Sequence, residues 1–388
     1  MDLSRIQSAI RERRFDAWLF YDHHYRDPIG YRILGLPDNL HVTRRWYYVV
    51  PASGDPHKLV HRIEAGRLDP LPGQKNEYSS WQEQHENLKA MLAPYKNVAM
   101  QFSPNNAIPY VSLVDGGTID LIRSFGKNIV SSCDLVTEFD ATLSDEQIVS
   151  HFAARDAIDP IMQAAFAEIG RRCANGSTTE FDIQQFVEEA FRREKLVTDS
   201  APIVAVNENS ANPHYAPSKE MTRPIKKGDF ILLDFWAKKN QPNSVFYDIT
   251  WTGVVGRSPS DREIKIFETV WNARDAGLKT INASLSAGRK IPGWEVDKAV
   301  RDSIGDAGYA KYFVHRTGHS IGTEVHANGA NMDNFETKDE REILDRSLFS
   351  LEPGIYLPQF GVRLEYDVLV RNGKAEPTGP VQTELVVI

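Results

Sequence analysis

Apolar and polar positions alternate on two different periods along this chain, and the switches between them mark out its elements. Residues 3–13 carry apolar side chains at helical spacing and predict an amphipathic helix. Residues 17–21 form a short apolar run, and residues 45–50 are rich in aromatic and β-branched side chains; both predict strands. Residues 51–56, bounded by Pro51 and Pro56, predict a turn that returns the chain along 58–63 as a hairpin. Residues 81–92 predict a helix and 98–102 a further strand. A hairpin beside strand–helix units implies an α/β domain with a mixed sheet.

The pattern changes near residues 139–143, which sets expected domains of 1–142 and 143–388. Ser144 and Gln147 have the spacing of a capping box, and a helix is expected from there to about Cys173. Pro160 is expected to kink or divide it, and Asn175-Gly176 to close it. Thr179 with Asp182 caps a second helix over 181–193. Residues 231–237 and 246–255 predict a β-hairpin with a long polar loop. Residues 261–279 and 295–307 predict helices. Residues 348–351, 354–357 and 363–370 predict strands. The second domain therefore reads as α+β with a largely antiparallel sheet.

Composition narrows the class. The formal charge of −8 over 388 residues, with Lys and Arg scattered, gives nucleic acid no basic footprint. Two cysteines, Cys133 and Cys173, are too few for a disulfide scaffold or a thiolate metal site. No apolar run approaches membrane-spanning length, and residues 1–14 lack the apolar core of a signal peptide, so a cytoplasmic location is expected.

Five side chains stand out against their surroundings. Asp234 and Asp248 each interrupt an apolar strand, and a hairpin would bring them side by side, where two like charges need a cation or a proton. Glu352 precedes Pro353-Gly354, and Glu365 sits inside a mostly apolar run taken here as a central strand. His319 lies between Gly318 and Gly322, which points to close backbone approach. His315 and His326 accompany it, and His214 on a separate loop could add a hydrogen-bond donor. Four carboxylates with one imidazole can hold two divalent ions; Mn²⁺ suits this set first, with Fe²⁺, Co²⁺ or Zn²⁺ as alternatives. Walker A, Gly-x-Ser-x-Gly and His-Glu-x-x-His motifs do not occur.

Taken together, Leu233-Asp234-Phe235, Tyr247-Asp248-Ile249-Thr250, His315 to Gly322 with His326, Leu351 to Tyr356 and Gly361 to Glu365 carry a family signature. The chain resembles the pita-bread metallopeptidases, the family of aminopeptidase P, prolidase and creatinase. The resemblance implies a C-terminal pita-bread catalytic domain behind a smaller creatinase/prolidase-type α/β domain. It further implies hydrolysis of Xaa-Pro bonds in dipeptides or short peptides by a metal-bridging hydroxide, in a homodimer. Asp234 would chelate one metal, Asp248 and Glu365 would bridge both, and His319 and Glu352 would complete the other. Glu352 would also shuttle a proton. His214 and His326 would contact the substrate near the scissile carbonyl, His315 would line the pocket, and Arg363 would orient a substrate end. Dipeptidase and aminopeptidase both remain open. So do action on a non-proline amide or creatine-like substrate, and a non-catalytic binding role on the same fold. Asp234 and Asp248 stand a few positions further apart than the family pattern, so a longer hairpin loop with intact ligands is expected.

Overall fold

The computed structural model describes residues 1–37, 39 and 41–388. It divides into two compact units, Met1–Asp140 and Ala141–Ile388. Among the described residues, no helix is long and apolar enough to cross a membrane.

The first unit is built on a six-stranded sheet. Its strands lie side by side in the order Gln74–Tyr78, His57–His61, Trp46–Pro51, Ala17–Asp22, Asn97–Met100 and Asn128–Ser131. Only Trp46–Pro51 runs against its neighbours. Helices cover both faces, which is why the central strands read as unbroken apolar runs. Trp18, Phe20 and Tyr48 face Ile6 and Ile10 on one side; Leu19, Tyr47 and Val49 face Leu88 and Ile122 on the other. The strand Gln74–Tyr78 escaped the apolar pattern because it is an edge, with four of its five residues exposed and polar.

In the second unit, the Ser144–Gln147 capping box is formed and starts a 31-residue helix, Asp145–Asn175. This helix continues through Pro160, which was expected to kink or divide it. Ile158, Ile161, Met162 and Ala165 are buried on both sides of the proline, so packing offsets the lost backbone hydrogen bond. The Thr179 capping box likewise heads Glu180–Arg193.

Both helices cover one face of the hairpin formed by Phe230–Lys239 and Tyr247–Val254. Ile231, Leu233 and Phe235 point into that helical layer. By the two-residue period of a strand, Leu232, Asp234 and Trp236 point to the opposite face. In the observed register Asp234 faces Thr250 and Asp248 faces Trp236, so the two aspartates share a face as diagonal neighbours.

Near the C-terminus the structure departs from expectation. The single strand expected over 363–370 is two, Phe360–Arg363 and Tyr366–Arg371, with Leu364 and Glu365 in the gap. Their partners Gly354–Leu357 and Leu348–Leu351 are separated by Glu352 and Pro353. Pairing stops at Leu351–Tyr366 and resumes at Gly354–Arg363. Pro353 has no amide hydrogen to continue the ladder. The amides of the two glutamates bond elsewhere instead: Glu352 N–H donates to the Thr317 carbonyl at 2.8 Å and Glu365 N–H to that of Thr250 at 3.2 Å. Glu365 is therefore held at a break in the ladder, opposite Glu352, and not in a continuous central strand.

Candidate metal centre

The polar face of the hairpin supplies Asp234 and Asp248, and the double break supplies Glu352 and Glu365. Asp248, His319 and Glu365 are all buried, and each offers a ligand atom lying within 4.8 Å of the other two. Atoms bound to one cation at about 2.0–2.3 Å are at most about 4–4.6 Å apart across it, so the spacing matches a metal-binding triad to within a small adjustment. Glu352 stands next to the triad, with its Oε1 3.5 Å from His319 Nε2; Asp248 Oδ2 is 3.6 Å from the same nitrogen.

His319 owes its position to glycine. A Cβ on Gly318 would lie 1.9 Å from the Ser350 carbonyl oxygen, so only glycine allows the two segments to lie this close. Ser350 then fixes the loop from both directions. Its amide donates to the His319 carbonyl at 2.9 Å, and its hydroxyl accepts from the His319 amide at 3.0 Å. The His326 ring meets the His319 ring edge-on at 4.3 Å.

Asp234 is not part of the triad. One of its oxygens, Oδ2, is bound by Arg363, and the other, Oδ1, is buried without a partner. Asp248 Oδ1 is also buried and unpartnered. Glu365 Oε2 accepts from the Thr250 hydroxyl at 2.6 Å, and that hydroxyl accepts from Arg363 Nε at 3.1 Å.

Arg363 is itself buried and reaches the Pro213 carbonyl and the Tyr356 hydroxyl, each at 3.2 Å. Tyr356 lies 2.7 Å from His315 Nε2, and His315 Nδ1 lies 2.7 Å from the Arg316 carbonyl. The Tyr356 hydroxyl accepts from Arg363, so its proton goes to His315 Nε2, and His315 carries its own proton on Nδ1. Both ring nitrogens of His315 are thus occupied within the protein. His214 is on an exposed loop, where its amide donates to Asn212 Oδ1 at 3.1 Å.

The charges reinforce one another. Burial, then Glu365, Asp234 and Asp367, push Asp248 well above the usual carboxylate range. Burial, then Glu352 and Asp234, do the same to Glu365. Glu352 rises to about 7, chiefly through burial, with Arg363 opposing. Burial, followed by His326 and Arg316, holds His319 far below the usual imidazole range, so it is neutral and has a lone pair to give. Without a cation, this cluster must take up protons. The buried, unpartnered oxygens of Asp234 and Asp248, the neutral imidazole and the absence of thiolate all fit a hard or borderline divalent metal.

Sequence reasoning missed Asp367. It is buried, its Oδ2 accepts from the Asp248 amide at 2.9 Å, and its Oδ1 has no partner. Its position two residues beyond Glu365 in an apolar run was the available signal. Thr250, Ser350 and Tyr356 were missed because their roles depend on contacts between distant segments.

Residues 153–372 match metallopeptidase family M24. The chain is 32% identical over 232 residues to a Mycoplasma pneumoniae protein provisionally named Xaa-Pro aminopeptidase, a match spanning 59% of this chain and 61% of that protein. It is 30% identical over 259 residues to the Xaa-Pro dipeptidase of Pyrococcus furiosus, covering 65% of this chain and 67% of that protein. The crystal structure of a dipeptidase from Pyrococcus horikoshii OT3 superposes over 100% of both chains with a TM-score of 0.65 at 26% identity. That full-length likeness bears out the expected fold, a pita-bread domain behind a smaller α/β domain. With more than half of its length matched by the family and a metal-binding triad within that segment, the chain belongs to metallopeptidase family M24.

Proposed function

We propose that this protein is a metal-dependent peptidase that cleaves the bond preceding proline in dipeptides or short peptides. The observation that carries the reading is the convergence of buried Asp248, His319 and Glu365, with Glu352 beside them. The names of its relatives as Xaa-Pro peptidases supply the bond preference.

Asp248, His319 and Glu365, with Glu352 and the free Oδ1 of Asp234, would hold two divalent ions, Mn²⁺ first among the candidates. Such ions supply an activated water and a positive field for the developing oxyanion. The remaining work falls to the chain. Glu352 has the side chain best placed to exchange a proton, since it is 15% exposed while those of His319 and Asp248 are 5% and 7% exposed. The Ser350 hydroxyl, 3.3 Å from Glu352 Oε1, steadies it. Its carboxyl can take a proton as water attacks and return it to the departing prolyl nitrogen. His326, whose ring meets that of His319, and His214 on its loop would donate to a substrate carbonyl; burial and Arg316 keep His326 below the usual imidazole range. His315 and Tyr356, their rings tilted against each other with centres 5.3 Å apart, give the site an aromatic wall. Arg363 spends its donors on Asp234, Thr250, Tyr356 and Pro213, so it acts on substrate through the groups it positions.

The test compares Xaa-Pro, Xaa-Pro-Xaa and Xaa-Ala substrates, after chelation and after Mn²⁺ is restored. Turnover confined to the proline substrates and dependent on the metal supports the reading. Metal-dependent turnover of Xaa-Ala at an equal rate would transfer the site to a general amide hydrolase.

A further inference from the structure

The unit Met1–Asp140 contains a cleft of about 550 Å³ to which nothing above gives a role. It opens at the carboxyl ends of Ala17–Asp22, His57–His61 and Gln74–Tyr78, where Tyr21, His61 and Tyr78 line it. In open α/β sheets, diverging loops make that end the usual place for a ligand.

The lining is strongly one-signed. Arg26, Arg44 and Arg45 all face the cleft. Arg44 Nη1 donates to the carbonyl and hydroxyl of Thr43 at 3.1 and 3.2 Å, and among the described residues none of the three guanidiniums has a carboxylate partner. Asp115 is the one acid in the lining, and its two oxygens are committed to the amide and hydroxyl of Thr118, each at 2.9 Å. Three cations against one carboxylate around a concave wall focus a positive potential, and they do so on a chain whose net charge is −8.

A second observation is independent of charge. Gln84 also lines the cleft and is fully buried. Its Nε2 donates to the Tyr47 hydroxyl at 2.5 Å, while its Oε1 has no partner. Turning the amide over exchanges the two atoms but still leaves one unsatisfied. A buried polar atom in that state is destabilising unless something in the cleft meets it. Trp81, 62% exposed in the same lining, offers a flat apolar surface to a bound molecule.

We propose that this cleft binds a small polyanion, a molecule carrying at least two phosphate or carboxylate groups. The guanidiniums of Arg26, Arg44 and Arg45 take its charges, and Gln84, with its amide turned so that Oε1 accepts from the Tyr47 hydroxyl, donates from Nε2 to an oxygen between them. The volume suits a ligand of metabolite size and excludes a folded chain.

Isothermal titration of the full-length protein with fructose 1,6-bisphosphate and with tricarballylate tests this and separates the two anion sources. The expected result is saturable binding of one probe at one site per chain. It should weaken at least tenfold in Arg44→Ala/Arg45→Ala and again on raising salt from 50 to 200 mM, as charge pairing requires. Arg26→Ala repeats the test should the double variant fail to fold. Saturation by neither probe overturns the proposal, as does binding that is unchanged in a variant with wild-type thermal stability.

Discussion

Two groups of like charge lie in this chain, and burial separates them. In the unit Met1–Asp140, Arg26 and Arg44 are exposed beside their cleft and Arg45 is half-buried; water already solvates much of their charge. In the unit Ala141–Ile388, Asp234, Asp248, Glu365 and Asp367 are each buried to within a few per cent of completely, and three of them keep an oxygen with no partner. A solvated cluster tolerates an empty site. A desolvated one must be neutralised by protons or by metal. The second group therefore implies its ligand far more strongly than the first.

The contrast can be broken most sharply at the buried cluster. Asp248→Ala or Glu365→Ala removes a member of the triad, and turnover is expected to fall below detection while secondary structure persists; circular dichroism and peptide assays check both. Retention of near-normal turnover in either variant would remove the metal centre from the reaction. Glu352→Gln keeps shape but cannot carry a proton, so kcat should drop about 10²–10⁴-fold with KM little changed. Asp367→Asn, which can still accept from the Asp248 amide, should weaken metal binding by about 10–100-fold, measured by titration of Mn²⁺ into stripped protein.

The smallest expected effect is on stability. Glu352, raised to about 7, and Asp248 and Glu365, both pushed well above the usual carboxylate range, bind protons more tightly folded than unfolded. Their contribution is fully present below the unfolded carboxylate range and is lost as pH rises through the folded values. His315 and His326 shift downward and act in the opposite sense, but only below the unfolded imidazole value of 6.5. Above pH 6.5 the carboxylates act alone. Chelated protein should therefore lose stability as pH rises from 6.5 to about 8, and Mn²⁺ should reduce the loss. Parallel melting curves with and without metal across that range check the sign; a stability that rises with pH in the chelated protein contradicts it.

Much of this was legible in the chain because it depends on local period. The hairpin carrying Asp234 and Asp248 follows from two apolar strands with acids on the same alternating face. The capping boxes at Ser144 and Thr179 were readable from four residues each. Glu365 misled because an apolar run does not reveal where a ladder stops. The break depends on Pro353, which lies on the facing arm of the hairpin, across from Leu364 and Glu365. Asp367 and the engagement of Arg363 with Asp234 were hidden for a related reason: each depends on which segment of the chain faces it, and periodicity carries no such information.

The central claim is that the buried carboxylates converge because divalent cations belong among them. Equilibrium dialysis against Mn²⁺, followed by elemental analysis of wild-type protein and Asp248→Ala, tests it most directly. The account predicts two ions per wild-type chain and a marked loss in the variant. A wild-type chain that binds none, or a variant that binds as many as wild type, would contradict it.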